Sequence, residues 1–181
     1  MDASILYGIQ DLLGNPVFDA VLPYFTLIGE KGLIWVILAV GMMLSRKRRF
    51  WGACIFAALV AVLLINELGL KHLIARTRPY IELGWNSIML DNPTSNSFPS
   101  GHAACSFAAA TVISLSPAKG RWKALVWVLA LVICFSRLYL FAHYPSDVLV
   151  GALLGAAYAL LAVRIGLRIR EKREQAKPAA A

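Results

Sequence analysis

The chain has 181 residues, of which 59% are apolar and 15% charged, with 18 Lys+Arg against 10 Asp+Glu and a formal net charge of +8. Its mean hydropathy of +0.67 leaves too little charged surface for a soluble domain of this length, so composition alone indicates a small integral membrane protein. A disordered chain, a collagen-like repeat and a disulfide scaffold are excluded by the apolar content, the absence of a glycine period and the presence of only three cysteines. In so apolar a chain the positive excess is expected to orient membrane spans, with a minority of cations binding something anionic, and no nucleic-acid partner is expected.

Residues Met1 to Asn15 lack a basic stretch before an apolar run and a small-residue cleavage site, so no cleaved signal peptide is expected. Ile5, Leu6, Ile9, Leu12 and Leu13 recur at helical spacing among Asp2, Gln10 and Asp11, which predicts an amphipathic helix lying at the interface. Asn15-Pro16 starts a new element. From Val17 to Ser45 only Asp19, Glu30 and Lys31 carry charge. Gly32 to Leu44 is too short to cross about 30 Å of hydrocarbon, so the first span is expected to begin upstream, near Val21, or to be helped by a shorter helix. Further spans are predicted over Trp51 to Leu70, Ala103 to Leu115, Lys123 to Phe141 and Val148 to Leu167. The fold expected is all-α, a polytopic membrane helix bundle of about five spans, with six as the alternative, in one domain over 1–170. A solvated, frayed tail over 171–181 is expected to follow it.

Arg46 to Arg49 follow the first span, Lys119, Arg121 and Lys123 separate the third from the fourth, and Arg164, Arg168, Arg170, Lys172 and Arg173 follow the fifth. With five spans these clusters share one side, which the positive-inside rule makes cytoplasmic. Lys71 to His102 and the His143 to Asp147 turn then share the extracytoplasmic side with the N-terminal segment.

Those outer segments hold the chemistry. Lys71 and Arg78 are seven residues apart at the end of the second span, a spacing that predicts one helix face as far as Pro79. Two cations on one face suit phosphate oxygens, although snorkelling at the membrane boundary would use the same residues. Their position on the side that disfavours cations shifts the balance toward function. In Phe98 to His102, Pro99 and Gly101 shape a tight helix start, Ser100 is a candidate cap, and first-turn N–H groups are free to meet an anion. A Pro-Ser-Gly turn before a helix is also common without any function. Arg137 sits near the outer end of the fourth span, where a cation is costly unless paired. His143 precedes Pro145, and Asp147 follows by four residues, a distance at which a carboxylate could orient an imidazole or simply cap the helix. Taken together, cations, histidines, a carboxylate and a helix N-terminus describe an oxyanion site with a nucleophile and an acid-base partner.

The three segments resemble the signature of the type 2 phosphatidic acid phosphatase superfamily, the lipid phosphate phosphatases: K-x6-R-P, P-S-G-H and S-R-x5-H-x3-D. Here they read Lys71, Arg78 and Pro79; Pro99, Ser100, Gly101 and His102; and Ser136, Arg137, His143 and Asp147. Eleven specified residues at fixed internal spacings make this a specific match over the region from the second span to the fifth. The resemblance implies that His143 attacks phosphorus to give a phosphohistidine, that Asp147 orients it, and that His102 protonates the leaving oxygen. It also implies that Lys71, Arg78, Arg137, Ser100 and the Gly101 N–H bind the nonbridging oxygens, with no metal and no cofactor. The substrate implied is a lipid phosphate or diphosphate in a bacterial-type plasma membrane, undecaprenyl diphosphate first, then phosphatidylglycerol phosphate or phosphatidic acid. Membrane lipids are the surroundings, and no obligate protein partner is expected.

A non-catalytic lipid-phosphate binding or transport protein is the alternative, disfavoured by an intact His143 and Asp147. Vanadate-dependent peroxidase chemistry is remoter still. Arg76 reads as an exposed interfacial arginine, and Glu67 as a helix partner of Lys71. Cys54, Cys105 and Cys134 sit in apolar runs and read as small hydrophobes. Tyr80 to Ser97 reads as a loop on the bilayer surface, either lid or anchor. Gly151 and Gly155 predict a close helix contact.

Overall fold

A computed structural model of the chain describes residues 1–90 and 93–176. Among them every regular element is helical. The surface helix α1 (Asp2–Leu13) is followed by α2 (Pro16–Ile28) and α3 (Leu33–Met43), and α4 (Arg49–Ala61) runs on through a π-helical stretch (Val62–Leu70) into the single turn α5 (Lys71–Ile74). The short α6 (Pro79–Glu82) precedes α7 (Gly101–Leu115), α8 (Gly120–Tyr139) and α9 (Pro145–Gln175). Among the described residues four stretches are long and apolar enough to cross a membrane, namely Pro16–Met43, Arg49–Glu82, Gly120–Tyr139 and Pro145–Gln175, and α7 is a shorter apolar helix.

Two local breaks shape the spans, and the second departs from expectation. The first span is two helices, the second of the two arrangements expected, because Lys31 and Gly32 take left-handed conformations (φ 50 and φ 70) between α2 and α3. Asn15 caps α2 through Oδ1, which accepts from Val17 N–H and Phe18 N–H, so the first crossing starts at Pro16. In the second break, the helix expected to carry Lys71 and Arg78 on one face ends at Ile74. Ala75 turns left-handed (φ 50) and the chain reaches Pro79 from an extended Arg78. A residue before proline is driven from the α region, and here the break spreads over the preceding residues as well.

The short α7 is the central post of the bundle. Ala103, Ala104, Ala108, Ala109 and Ala110 are buried, and α9 lies against them with Gly151 and Gly155 facing the Ser100 and Ala104 carbonyls. A Cβ at either glycine would overlap that backbone, so the G-x-x-x-G pair makes the expected close contact. Two polar contacts cross between helices inside the bundle: Trp35 Nε1 donates to Ser106 Oγ (3.0 Å) and Tyr158 OH to Asn66 Oδ1 (2.9 Å). Cys54, Cys105 and Cys134 are free and buried.

At one end of the bundle, α1 lies across the α8–α9 junction, where Leu6 packs with Phe141 and Tyr144 and Gln10 Nε2 donates to the Tyr139 carbonyl (2.6 Å). At the other end, α9 continues as helix beyond the expected span to Gln175, with Arg170 pairing Glu174. Thus Glu171 to Gln175 is exposed but helical rather than frayed, and 177–181 of the expected tail lie outside the described residues.

Candidate active site

The polar segments from four spans meet at the α1 end. The α8–α9 turn is built by Phe141, which adopts φ 54 while its ring stacks on Trp85 (centroids 4.2 Å apart) and meets Tyr7 edge-on (5.5 Å). This turn returns Ala142 and His143 N–H to the Arg137 carbonyl, so Arg137 and His143 are fixed relative to each other through backbone. Ser100 N–H donates to the Asp147 carbonyl (3.0 Å), tying the start of α7 to the start of α9.

A cavity of about 800 Å³ opens there, walled on its polar side by Lys71, Arg78, Gly101, His102, Arg137 and His143, with Glu30, Lys31 and Glu67 also in the lining. Val36, Phe56, Leu59, Val60 and Leu63 form an apolar side between α3 and α4, and Phe56, Val60 and Leu63 are also exposed on the bundle surface. Ser100 and Asp147 are fully buried and stand behind the wall. Ser100 Oγ accepts from Ala103 N–H (3.4 Å) as the α7 cap, and the N–H groups of Gly101 and His102 make no hydrogen bond among the described residues.

Each cation is held by named partners. Lys71 Nζ pairs with Glu67 Oε2 (2.7 Å), as the i, i+4 spacing predicts, and the Glu67 carboxylate lies directly against Gly101. Arg78 donates to the carbonyls of Ser95 (2.6 Å) and Ala142 (2.9 Å), and its Nη1 is 3.1 Å from His143 Nε2. Arg137 Nη1 donates to Thr26 Oγ1 (3.0 Å), while its buried Nε has no partner among the described residues. Its charge and that orphaned N–H suit an anionic oxygen.

The histidines are oriented differently from one another. His102 Nε2 lies 3.2 Å from the Thr26 carbonyl and 3.6 Å from Glu30 Oε2. His143 is 3.8 Å from Asp147 Oδ2, too far for a direct hydrogen bond. Between them stands Ser97, whose Oγ donates to Asp147 Oδ2 (2.5 Å) and lies 3.4 Å from His143 Nδ1. Asp147 also accepts from Tyr144 N–H (2.9 Å) in a capping box and from Arg76 Nη1 (2.7 Å). Burial, reinforced by the charges of Arg78, Arg137 and Lys71, holds the His143 pKa well below its usual 6.5. A neutral imidazole, one nitrogen facing a guanidinium in the cavity wall and the other facing a serine-carboxylate pair, suits nucleophilic attack on an anionic phosphorus centre.

Three contributors escaped the reading of the sequence. Thr26 orients Arg137 and His102 at once, and its only signal was a hydroxyl in an apolar run. Ser97 lies two residues before Pro99 in a stretch already rich in serine. Arg76, expected as an exposed interfacial arginine, instead pairs with Asp147 and with Asp2 of α1 (3.0 Å), and sits 3.9 Å over the Tyr144 ring. Ser146 Oγ donates to Asp2 as well (2.5 Å), and that bond, with Arg76 beside it, lowers the Asp2 pKa. In the described part of the Tyr80 to Ser97 segment, Tyr80 OH donates to the Pro93 carbonyl (3.0 Å), and Pro93, Thr94 and Ser95 wall the cavity.

Residues 50–171 match the family model described as the PAP2 superfamily. The chain is 33% identical over 173 residues to decaprenylphosphoryl-5-phosphoribose phosphatase of Mycobacterium tuberculosis, covering 91% of this chain and 90% of that one. It is 29% identical over 137 residues to undecaprenyl-diphosphatase of Sulfolobus acidocaldarius, covering 73% of this chain and 63% of that longer protein. Among solved structures, LpxE of Aquifex aeolicus superposes with a TM-score of 0.69 at 28% identity, covering 90% of this chain and 94% of that one. The transmembrane PAP2 type phosphatidylglycerolphosphate phosphatase of Bacillus subtilis superposes with the same TM-score of 0.69 at 26% identity, covering 99% and 87%. The motif residues, their convergence on one cavity and these matches agree: the chain belongs to the PAP2 superfamily and is a multi-pass membrane phosphatase.

Proposed function

We propose that this phosphatase removes a terminal phosphate from a polyprenyl-linked phosphate, with undecaprenyl diphosphate favoured, at the extracytoplasmic face of a bacterial-type plasma membrane. The single observation that carries the reading is His143 in the wall of a cationic cavity, with Nε2 toward Arg78 and Nδ1 backed by Ser97 and Asp147. His143 Nε2 attacks phosphorus, a P–N bond forms and the P–O bond to the lipid breaks. The leaving oxygen takes a proton from His102. Water then attacks the phosphohistidine, returns a proton to His102 and releases inorganic phosphate. Lys71, Arg78, Arg137 and the Gly101 N–H bind the nonbridging oxygens, and Ser100 shapes that cradle from behind as the α7 cap. These cations carry the charge stabilisation, so the scheme calls for no metal or cofactor.

Substrate preference rests on two supports. The apolar side of the cavity suits a lipid tail, and relatives are named undecaprenyl-diphosphatase and decaprenylphosphoryl-5-phosphoribose phosphatase. The second name, with coverage of 90% of that relative, favours a polyprenylphosphoryl pentose phosphate as the second reading. Residues 1–170 act as one domain, with 171–181 an extension on the cytoplasmic side, where the basic clusters orient the chain.

The test is phosphate release by the purified protein in nanodiscs, in the presence of EDTA, from undecaprenyl diphosphate, a polyprenylphosphoryl pentose phosphate, phosphatidylglycerol phosphate and phosphatidic acid. Release is expected to be fastest from a polyprenyl substrate and to fall at least about 10³-fold in His143→Ala. A His143→Ala protein that still releases phosphate from these lipids would overturn the mechanism. Movement of labelled lipid across the bilayer without phosphate release would instead support the binding or transport alternative.

A further inference from the structure

At the end of the bundle opposite the histidines, the α3–α4 and α7–α8 turns face each other across a second cavity of about 710 Å³. Lys47 and Arg48 reach it from one turn and Lys119 and Arg121 from the other. The sequence holds no Asp or Glu between Glu30 and Glu67, nor between Asp91 and Asp147, so both turns lie in stretches without carboxylates. Among the described residues none of the four cations forms an ion pair. Topology requires basic residues on one side of a membrane, but it does not require them to surround a cavity.

The walls are built as well as charged. Ser45 O accepts from Arg48 N–H (3.0 Å) and Arg49 N–H (2.8 Å), closing the first turn, and Ser116 Oγ accepts from Ala118 N–H (3.3 Å) in the second. Leu38, Met42, Trp51 and Val126 make an apolar floor, and Trp122 stands exposed at the rim under the Arg121 guanidinium, 5.4 Å from its ring. A cationic mouth over an apolar floor at a bilayer boundary matches a phospholipid head group and the start of its acyl chains better than a soluble anion.

We propose that this cavity is a binding site for an anionic phospholipid, whose phosphate lies among Lys47, Arg48, Lys119 and Arg121. The lipid is bound intact, some distance from the site of hydrolysis, and clamps the two turns together. The proposal depends neither on the identity of the substrate nor on the catalytic scheme.

The experiment compares retention of phosphatidylglycerol, phosphatidylcholine and inorganic phosphate by the full-length protein in a neutral detergent, read by native mass spectrometry and by the thermal unfolding midpoint. Phosphatidylglycerol is expected to be retained over phosphatidylcholine and to raise the midpoint. Replacing all four cations by Gln is expected to weaken its retention by at least about tenfold, since each cation near an anionic lipid contributes measurably to binding. Val126→Trp, which fills the floor without changing charge, should also weaken it. Substitution of Arg168, Arg170, Lys172 and Arg173 by Gln removes equal charge outside the cavity and should leave it unchanged. Phosphate release from a water-soluble phosphate ester should persist in all these variants, separating this site from the catalytic one. Equal retention of both lipids, equal loss in the Arg168, Arg170, Lys172 and Arg173 variant, or a midpoint raised as much by inorganic phosphate would each overturn the proposal.

Discussion

Ser97 donates its hydroxyl to Asp147 Oδ2 across 2.5 Å and so occupies the gap that separates this carboxylate from His143, whose Nδ1 lies 3.4 Å from the Ser97 Oγ. The carboxylate therefore reaches the imidazole through a hydroxyl that can shift between the two. Ser97→Ala is expected to lower kcat about 10- to 100-fold with little change in KM, because a buried charged group loses a hydrogen bond. Ser97→Thr should keep most of the rate. Steady-state kinetics on the preferred lipid decide it, and an unaltered kcat in Ser97→Ala would reduce the serine to a spacer.

The depressed pKa of His143 sets a direction for the pH dependence. The ring proposed as the nucleophile acts when neutral, so kcat/KM falls as pH drops through the lowered value, and the acid limb is expected on the acid side of 6.5. Arg78→Gln removes one of the charges that hold the pKa down and should move the limb toward 6.5 while lowering the rate. The same shift bears on stability. The fold favours the neutral ring, so its contribution is complete above about 6.5 and declines as pH falls from there toward the folded-state value. A pH series of unfolding midpoints for wild type and His143→Ala would show the difference.

Arg76 connects the surface helix α1 to the carboxylate behind His143, since its guanidinium pairs with Asp147 at 2.7 Å and with Asp2 at 3.0 Å. Arg76→Gln leaves the fully buried Asp147 without its cation and is expected to lower kcat about 10- to 100-fold, with Arg76→Lys partly restoring it. Asp2→Asn, at a half-buried position, should cost under about tenfold. A double-mutant cycle measures the coupling. Additive effects of the two changes would mean that α1 does not act through Arg76.

Glu67 places a carboxylate against Gly101 and on Lys71, where the anionic oxygens of a substrate are proposed to lie. Substrate and carboxylate then compete for one cation. Glu67→Gln is expected to tighten competitive inhibition by inorganic phosphate roughly three- to tenfold by removing a nearby like charge. Weaker inhibition would show that the carboxylate serves mainly to hold Lys71 in place.

Gly155 meets the Ala104 carbonyl with no space for a side chain. Gly155→Leu should force α9 from α7 and lower the unfolding midpoint in detergent by about 3–10 °C. Leu153→Ala, on the exposed face of the same helix, should change it little.

The sequence alone determined the membrane bundle, because hydropathy and basic clusters are local properties that each span carries by itself. It also determined the candidate residues Lys71, Arg78, His102, Arg137, His143 and Asp147, since their spacing along the chain is part of the motif that names them. It did not determine how those residues touch. Pro79 signalled a helix end, but not the break at Ala75 that turns Arg76 back beneath α9 to Asp147. Nor could hydropathy single out Thr26 and Ser97, whose neutral hydroxyls acquire meaning only beside partners such as Arg137 and Asp147, distant in sequence. Hydrogen-bond geometry between segments depends on how helices pack and where they break, and those were settled only when small residues on α7 and α9 brought the span ends together.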